Sequence, residues 1–191
     1  MRHALKTIFA LLLTFSCVFA HAQEQPRWSN RLSVEEKIVA QWAYEQSGKK
    51  TDSKIIERIV HRVYVEAEKN DVDPLTVMAM IWKESRFNPK ATSFCGAKGL
   101  MQVLPKYHLK ALAGRSPYSV DTSIEVGTKI YAEYLSEHGT EKKAMSKYSG
   151  GARNYHKSVV AMRKNLQREI VFSLFDQPPV QRPQEIWLAM N

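Results

Sequence analysis

A single glutamate, Glu84, stands in a sequence context that suits acid chemistry. It lies near the C-terminal end of a predicted helix, and apolar residues such as Met80, Ile81 and Trp82 precede it. The negative end of the helix dipole opposes ionisation of a carboxyl group there, and partial burial beside Trp82 opposes it too. Both effects raise the pKa of a carboxyl, and a carboxyl that stays protonated near neutral pH can serve as a general acid.

Glu84 also has an ordinary interpretation, as a solvated side chain paired with Lys83 or Arg86, because charged residues at helix ends are usually solvated. The residues that follow favour the chemical interpretation. Residues 84–91 read E-S-R-F-N-P-K-A, a serine stands at 93, residues 96–103 read G-A-K-G-L-M-Q-V, and a proline stands at 105. Two short motifs at a fixed separation are far more specific than either motif alone.

This stretch resembles the goose-lysozyme-like lytic transglycosylases of the soluble (SLT) type. Their pattern reads E-S-x-F-x-P-x-A-x-S, then G-A-x-G-L-M-Q, then a proline. The resemblance continues in a helix that contains Ile124, Gly127, Tyr134 and Leu135, and it covers roughly residues 60–165. Where the family usually shows A-Y-N-x-G, residues 147–151 read K-Y-S-G-G, which keeps the tyrosine but replaces the asparagine with serine.

The resemblance implies that Glu84 is the only catalytic residue. It would protonate the glycosidic oxygen between N-acetylmuramic acid and N-acetylglucosamine in peptidoglycan. As a carboxylate, it would then take a proton from the C6 hydroxyl of the muramic sugar, which closes on C1 to give a 1,6-anhydro product. This chemistry needs neither water nor a second carboxylate, because the nucleophile belongs to the substrate.

The distribution of acidic residues agrees with chemistry by one carboxylate. Ordinary glycosidases use a pair of carboxylates, yet the segment 85–120 contains no Asp or Glu. Asp121 and Glu125 come next, and they are typical of residues at a helix start. Two alternatives stay open, namely a hydrolytic lysozyme on the same fold and a wall-binding assembly protein of a secretion system.

Six further positions are candidates for binding the substrate, and the resemblance supports them: Ser85, Ser93, Gly99, Met101, Gln102 and Tyr148. Glycine at 99 would let the backbone approach a sugar closely. Gln102 is expected to hydrogen-bond a sugar and Met101 to pack on an apolar sugar face, although both could simply belong to a buried turn.

The serine and tyrosine candidates have alternatives as well. Ser85 would orient the Glu84 carboxyl group or simply end the helix. Tyr148 would hydrogen-bond Glu84 or the substrate, whereas Tyr131 and Tyr155 are expected in the core because of their helical spacing.

No metal and no cofactor is expected. The six histidines show no metal-ligand spacing, and no phosphate-binding glycine loop is present. Cys95 lies inside the glycine-rich segment without a histidine that would activate it as a nucleophile, so we interpret it as an incidental small residue.

Helical signals dominate the chain and predict a mainly α, lysozyme-like domain of about seven helices. Ser33 and Glu36 have capping-box spacing, and so do Thr122 and Glu125. Asp73 and Pro74 predict the start of the helix that carries Glu84, and the pair at 88–89 predicts its end. One turn of helix is expected at residues 100–104, an irregular segment at 106–120, and a very small β-ribbon between residues 87 and 103.

The chain divides into four predicted segments. Residues 1–22 have a basic start, a short apolar run and an Ala20-His21-Ala22 cleavage pattern, which together predict a secretory signal peptide. Residues 23–52 form a helical extension, residues 53–172 the catalytic domain, and residues 173–191 a tail. We expect both extensions to pack on the domain through Trp28, Trp42 and Trp187.

Export and net charge limit the classes of molecule that the protein can bind. The whole chain carries a net charge of +9, which favours polyanions such as nucleic acid, anionic lipid and cell wall. Export predicts a periplasmic, wall-associated protein without a membrane span once the signal is cleaved, and it argues against nucleic acid as a partner. We expect a monomer that acts on peptidoglycan strands, with a secretion, conjugation or flagellar assembly as a further candidate partner.

Overall fold

The computed structural model describes residues 26–175, which contain seven α-helices. Their bounds are α1 Val34–Gln46, α2 Ser53–Lys69, α3 Pro74–Ser85, α4 Leu109–Leu112, α5 Val120–His138, α6 Glu141–Tyr148 and α7 Tyr155–Phe175. The all-α prediction is confirmed. The expected ribbon is reduced, within residues 26–175, to two isolated antiparallel bridges that join Thr92 to Lys98 and Lys98 to Val103.

The predicted signal peptide at residues 1–22 lies outside the described residues, and so does the tail after Phe175. Between residues 26 and 175, no helix combines the length and the apolar character that a membrane crossing requires.

The helices pack around a main hydrophobic core in which α3 is central. This helix packs against α2 and α7, while α2 also packs against α1 and α5, and α6 fills the space between α5 and α7. Every side chain of α3 from Thr76 to Ile81 is buried. Residues at the end of α3 are therefore carried by a segment that is fixed from nearly all sides.

The N-terminal helix α1 belongs to the same core. Its start has the predicted capping box, since Ser33 accepts a hydrogen bond from the Glu36 backbone and Glu36 accepts one from the Ser33 backbone. Trp42 is only 3% exposed, and its Nε1 donates to Oδ1 of Asn165 on α7 at 3.0 Å. Its ring meets the ring of Phe87 edge-on, with centroids 5.8 Å apart.

The helix that carries Glu84 begins as predicted and ends earlier than predicted. Asp73 caps its start by accepting from the backbone N–H of Leu75 at 3.0 Å. The expected stop at residues 88–89 is wrong, because Arg86 already adopts a left-handed backbone with φ of 52° and closes the helix. Glu84 therefore stands in the last turn of α3, next to the last helical residue.

Two other boundaries differ from the predictions. Residues 100–104 form turns and a bridge instead of a helical turn, and the short helix α4 lies in the segment that was expected to be irregular. The capping box at Thr122 and Glu125 is wrong, because α5 begins at Val120 after Ser119. Thr122 lies inside that helix and is buried, so its side chain cannot cap a start.

We expect Trp42→Ala to lower the free energy of unfolding by about 3 to 5 kcal/mol, because it leaves a cavity between α1 and α7. Trp28→Ala, at a half-buried site, is the control and should cost less. Urea unfolding followed by circular dichroism measures both. A loss below about 1 kcal/mol for Trp42→Ala would contradict the packing of α1 into the core, and so would rapid proteolytic removal of residues 23–50 from the folded protein.

Candidate active site

The Glu84 side chain is half-buried, and it forms no ion pair with Lys83 or Arg86. The guanidinium of Arg86 lies over the ring of Trp82, 3.8 Å from its centroid, where the ring face attracts the cation. Glu84 takes part in none of the ion pairs within residues 26–175. The interpretation of Glu84 as a residue paired with its neighbours is therefore wrong for Arg86, and Lys83 exerts only a charge effect from its exposed position.

Tyr155 holds the Glu84 carboxyl group. Its hydroxyl donates to Oε1 of Glu84 at 2.6 Å, across the contact between α7 and α3. The sequence predicts Tyr155 as a core residue, and it is indeed only 4% exposed. Its polar function was missed because helical spacing indicates which side chains face inward, and not which inward hydroxyl meets a carboxyl group.

The environment favours the protonated form of Glu84. Burial raises the pKa of this carboxyl above its ordinary value, and this effect exceeds the two that lower it. The lowering effects are the hydrogen bond from Tyr155 and the charge of Lys83. Glu84 can therefore hold a proton where most glutamates have lost it, and its carboxylate form still has a hydrogen-bond donor in place.

The acidic residues that follow Glu84 in the sequence are engaged elsewhere. Asp121 binds Arg58, and Glu125 binds Arg62 and Arg115 at 3.0 and 2.8 Å. Hydrogen bonds from Arg58 and Arg115 hold the pKa of these two carboxyls below their ordinary values. The charges that act on Glu84 include no second carboxylate from residues 26–175. The arrangement can thus supply a single carboxyl, Glu84, that acts first as proton donor and then as proton acceptor.

Tyr148 binds the glycine-rich loop and leaves the carboxyl of Glu84 to Tyr155. Its hydroxyl donates to the backbone oxygen of Met101 at 2.8 Å. The predicted direct hydrogen bond from Tyr148 to Glu84 is therefore wrong. Burial raises the pKa of the Tyr148 hydroxyl well above its ordinary value, and the nearby Glu84 charge raises it further. Tyr148 is therefore a neutral donor close to Glu84.

Met101 anchors the glycine-rich loop (residues 91–103) to α5. Its side chain is fully buried, and a Cβ added to Gly127 would come within 2.6 Å of it. The backbone N–H of Met101 donates to Oγ of Ser123 at 3.1 Å, and Oγ1 of Thr128 lies 3.7 Å from its sulfur. This placement puts the Met101 side chain in the core and gives it no surface on which a sugar could pack.

Gly99 and Gln102 shape the loop from within. Gly99 has φ of 77°, and a Cβ there would lie 2.0 Å from the backbone oxygen of Pro117, so its close approach is to protein and not to open space. Gln102 also has a left-handed backbone, with φ of 48°. Its Nε2 donates to the backbone oxygens of Ala91 and Gly99 at 3.2 and 2.9 Å, which leaves Oε1 for other contacts.

The two serine candidates make local backbone contacts. Oγ of Ser93 accepts from the N–H of Ala97 at 3.0 Å and closes the tip of the loop. Oγ of Ser85 donates to the backbone oxygen of Ile81 at 3.1 Å, a contact typical of a serine in the last turn of a helix. Of the two interpretations of Ser85, the structure contains the one in which it finishes the helix.

Comparison with known proteins agrees with this fold. Residues 63–171 match the family model described as "Transglycosylase SLT domain", which is more than half of the chain, and the protein belongs to that family. The chain is also 35% identical over 81 residues to a protein named "Transglycosylase" from Enterobacteria phage PRD1. That alignment covers 42% of this chain and 30% of the phage protein, so the chain matches less than a third of that relative's length.

The raised pKa of Glu84 predicts a pH-dependent effect of Glu84→Gln on stability. The folded state binds the Glu84 proton more tightly than the unfolded chain, so ionisation destabilises the folded state as pH rises above the unfolded pKa. Glu84→Gln should therefore gain stability relative to the wild type between about pH 4 and about pH 7. Urea unfolding at both pH values measures this change.

Glu125→Gln provides a control of opposite sign. The pKa of Glu125 is lowered in the folded state, so its contribution to stability is present at neutral pH and lost as pH falls. Glu125→Gln should lose stability relative to the wild type over the same rise in pH. If both variants change in the same direction, the proposed raised pKa of Glu84 is wrong.

Gly99→Ala should destabilise the fold by about 3 kcal/mol or more, because the new methyl group would meet a backbone oxygen that cannot move freely. Gly96→Ala is the matched control, since φ is also positive there but no atom lies within 4 Å of the added Cβ. It should cost only about 1 kcal/mol of backbone strain. Thermal unfolding distinguishes the two, and equal losses would show that backbone strain alone matters.

Proposed function

We propose that the protein is a peptidoglycan lytic transglycosylase that cleaves the β1,4 bond between N-acetylmuramic acid and N-acetylglucosamine. Glu84 is the single general acid/base, and the product carries a 1,6-anhydro-N-acetylmuramic acid end. The observation that carries the proposal is the half-buried Glu84 carboxyl with a raised pKa, which Tyr155 binds and on which no other carboxylate of residues 26–175 acts. Membership of the SLT family supports the same reaction class.

In the first step, the protonated Glu84 gives its proton to the glycosidic oxygen as the C1–O bond breaks. Burial raises the pKa of the carboxyl and so favours the protonated form that this step requires. The aglycone leaves as N-acetylglucosamine with a free C4 hydroxyl. Positive charge then develops at C1 of the muramic sugar, and the new carboxylate stabilises it.

In the second step, the Glu84 carboxylate takes the proton from the C6 hydroxyl of the muramic sugar. O6 then forms a bond to C1, which closes the anhydro ring and returns Glu84 to its protonated form. Tyr155 supports the carboxylate between the two steps, because its hydroxyl donates to Oε1. One residue can thus serve as acid and base when burial favours one form and a fixed donor stabilises the other.

The glycine-rich loop is the proposed wall of the substrate cleft. Gln102 offers Oε1 to a sugar hydroxyl or N–H, since its Nε2 is already used within the loop. Gly99, Ser93 and Met101 contribute by fixing the loop backbone, and Tyr148 contributes through its hydrogen bond to that backbone. Ser85 completes the last turn of α3 and so supports the position of Glu84.

The proposed setting is the periplasm, at the cell wall. The predicted signal peptide would export the chain, and the predicted positive charge favours an anionic wall. A small enzyme of this class could open local gaps for a secretion, conjugation or flagellar assembly, or recycle wall material. We propose that it acts on glycan strands as a monomer.

Incubation of residues 23–191 with intact sacculi tests the reaction. We expect anhydro-muropeptides by mass spectrometry, and we expect Glu84→Gln to lower the rate by roughly a hundred- to ten-thousand-fold, the usual contribution of a general acid/base. Glu68→Gln is the control, because it makes the same substitution at an exposed position on α2. It should leave the rate within about two-fold of the wild type.

Other outcomes have definite meanings. Products with reducing ends that vanish in Glu84→Gln would keep the acid but assign the protein to the hydrolytic lysozymes. Binding to sacculi without cleavage by either protein would contradict the enzyme proposal and favour an assembly role. Anhydro products from Glu84→Gln at the wild-type rate would exclude Glu84 as the acid.

A further inference from the structure

A hollow of about 430 Å³ opens between α6 and the start of α7. We call it the α7 hollow. Its polar and charged lining consists of Lys142, Ser146, Asn154, Tyr155, His156 and Lys157. A neighbouring hollow shares Ser146 and adds Lys143 and Lys147, so that four lysines surround one surface of the protein. No Asp or Glu lines either hollow.

These four lysines differ from the other major cations of the described chain. Arg58, Arg62, Arg115 and Arg163 each bind a carboxylate within 3.0 Å. Within residues 26–175, none of the four lysines has a carboxylate within 4.0 Å. The acid of α6 itself, Glu141, is directed to Arg163 at 2.6 Å. Their charge is therefore available to a ligand.

The start of α7 adds a second source of positive potential. The first N–H groups of a helix have no intrahelical acceptor and carry a partial positive charge. In α7, a helix of 21 residues, these groups stand where His156 and Lys157 line the hollow. Cationic side chains and the positive end of the helix dipole thus lie at one concave surface, an arrangement that fits a carboxylate.

The α7 hollow is joined to the proposed acid through Tyr155. One part of this residue lines the hollow, and its hydroxyl donates to Glu84. In peptidoglycan, the peptide stem is attached to the lactyl group of the muramic sugar, the same sugar whose C1 bond is broken. The lactyl carboxyl is itself used in the amide bond to the stem, so the nearest free carboxylate belongs to the second residue of the stem. A strand that presents this bond to Glu84 therefore carries stem carboxylates at the length of a short peptide from the reacting centre.

We infer that the α7 hollow binds free carboxylates of the peptide stem and so makes the enzyme prefer glycan strands that carry stems. The inference rests on the proposed function. Lys142 and Lys157 are the main contacts, and Ser146 and Asn154 are positioned to add neutral hydrogen bonds. The occupant is part of the substrate strand, because Tyr155 lines the hollow and also donates its hydroxyl to the proposed acid.

Binding measurements with the Glu84→Gln protein test the inference without turnover. The probes are soluble glycan strands with intact stems and the same strands after an amidase has removed the stems. Lys142→Glu/Lys157→Glu should weaken binding of the stem-bearing strands about ten-fold or more, the effect of losing a charge-assisted hydrogen bond. Binding of stem-free strands should change by less than about two-fold.

The matched control is Lys37→Glu/Lys54→Glu. It makes the same change in net charge on α1 and α2, which do not line the hollow. All four substitutions fall near helix starts, where an acidic side chain is tolerated or favoured, so the variants should fold. The control should leave the preference for stem-bearing strands unchanged.

Several results would overturn the inference. Equal losses with both kinds of strand, or equal losses in the control, would show that only the overall positive charge attracts the strand. If Lys142→Glu/Lys157→Glu weakened binding only to phosphatidylglycerol vesicles, the lysines would be assigned to a membrane-binding surface. The proposed reaction fails separately: stem-dependent binding through the hollow without anhydro products disproves the reaction, whereas anhydro products without stem dependence disprove the inference.

Discussion

The hydrogen bond from Tyr155 to Glu84 joins the end of α3 to the start of α7, and the arrangement of the site depends on it. Alone, a carboxyl group in the last turn of a buried helix would be driven towards the neutral form by desolvation and by the helix dipole. The tyrosine hydroxyl opposes that drive without adding a charge. Because Tyr155 is almost fully buried, its position is set by the same core that fixes α3, and the donor needs no reorganisation when the carboxyl changes its protonation state.

The glycine-rich loop is also held in place by packing and hydrogen bonds. Met101 is fixed at three points, since α5 takes its side chain and its N–H while Tyr148 takes its backbone oxygen. Gly127 is what allows the close approach of α5, because any side chain there would occupy the volume of Met101. The glycine-rich loop is therefore shaped mainly by packing and hydrogen bonds within the protein. The Gln102 side chain uses its Nε2 inside the loop, which leaves Oε1 for other contacts.

The elements of this fold were predictable where the signals are local. Capping by Ser33 and Asp73 requires only residues within three positions of each other, and both caps are present. Thr122 has the same local spacing, but burial inside α5 overrides it. The hydrogen-bond partners of the two tyrosines were not predictable from the sequence. Tyr148 and Tyr155 are seven residues apart, and both face inward. Which hydroxyl reaches Glu84 depends on how α6 and α7 pack against α3, and periodicity carries no information about that geometry.

The charges outside the site explain why one carboxyl can be left alone within it. Asp121, Glu125 and Glu141 are each bound by an arginine, which compensates their negative charge. A free carboxylate beside Glu84 would raise its pKa further and would oppose formation of the second negative charge. The pKa of Glu84 is governed mainly by burial and by Tyr155. A group balanced in this way can release and regain a proton within one reaction cycle, which is what chemistry by a single carboxyl demands.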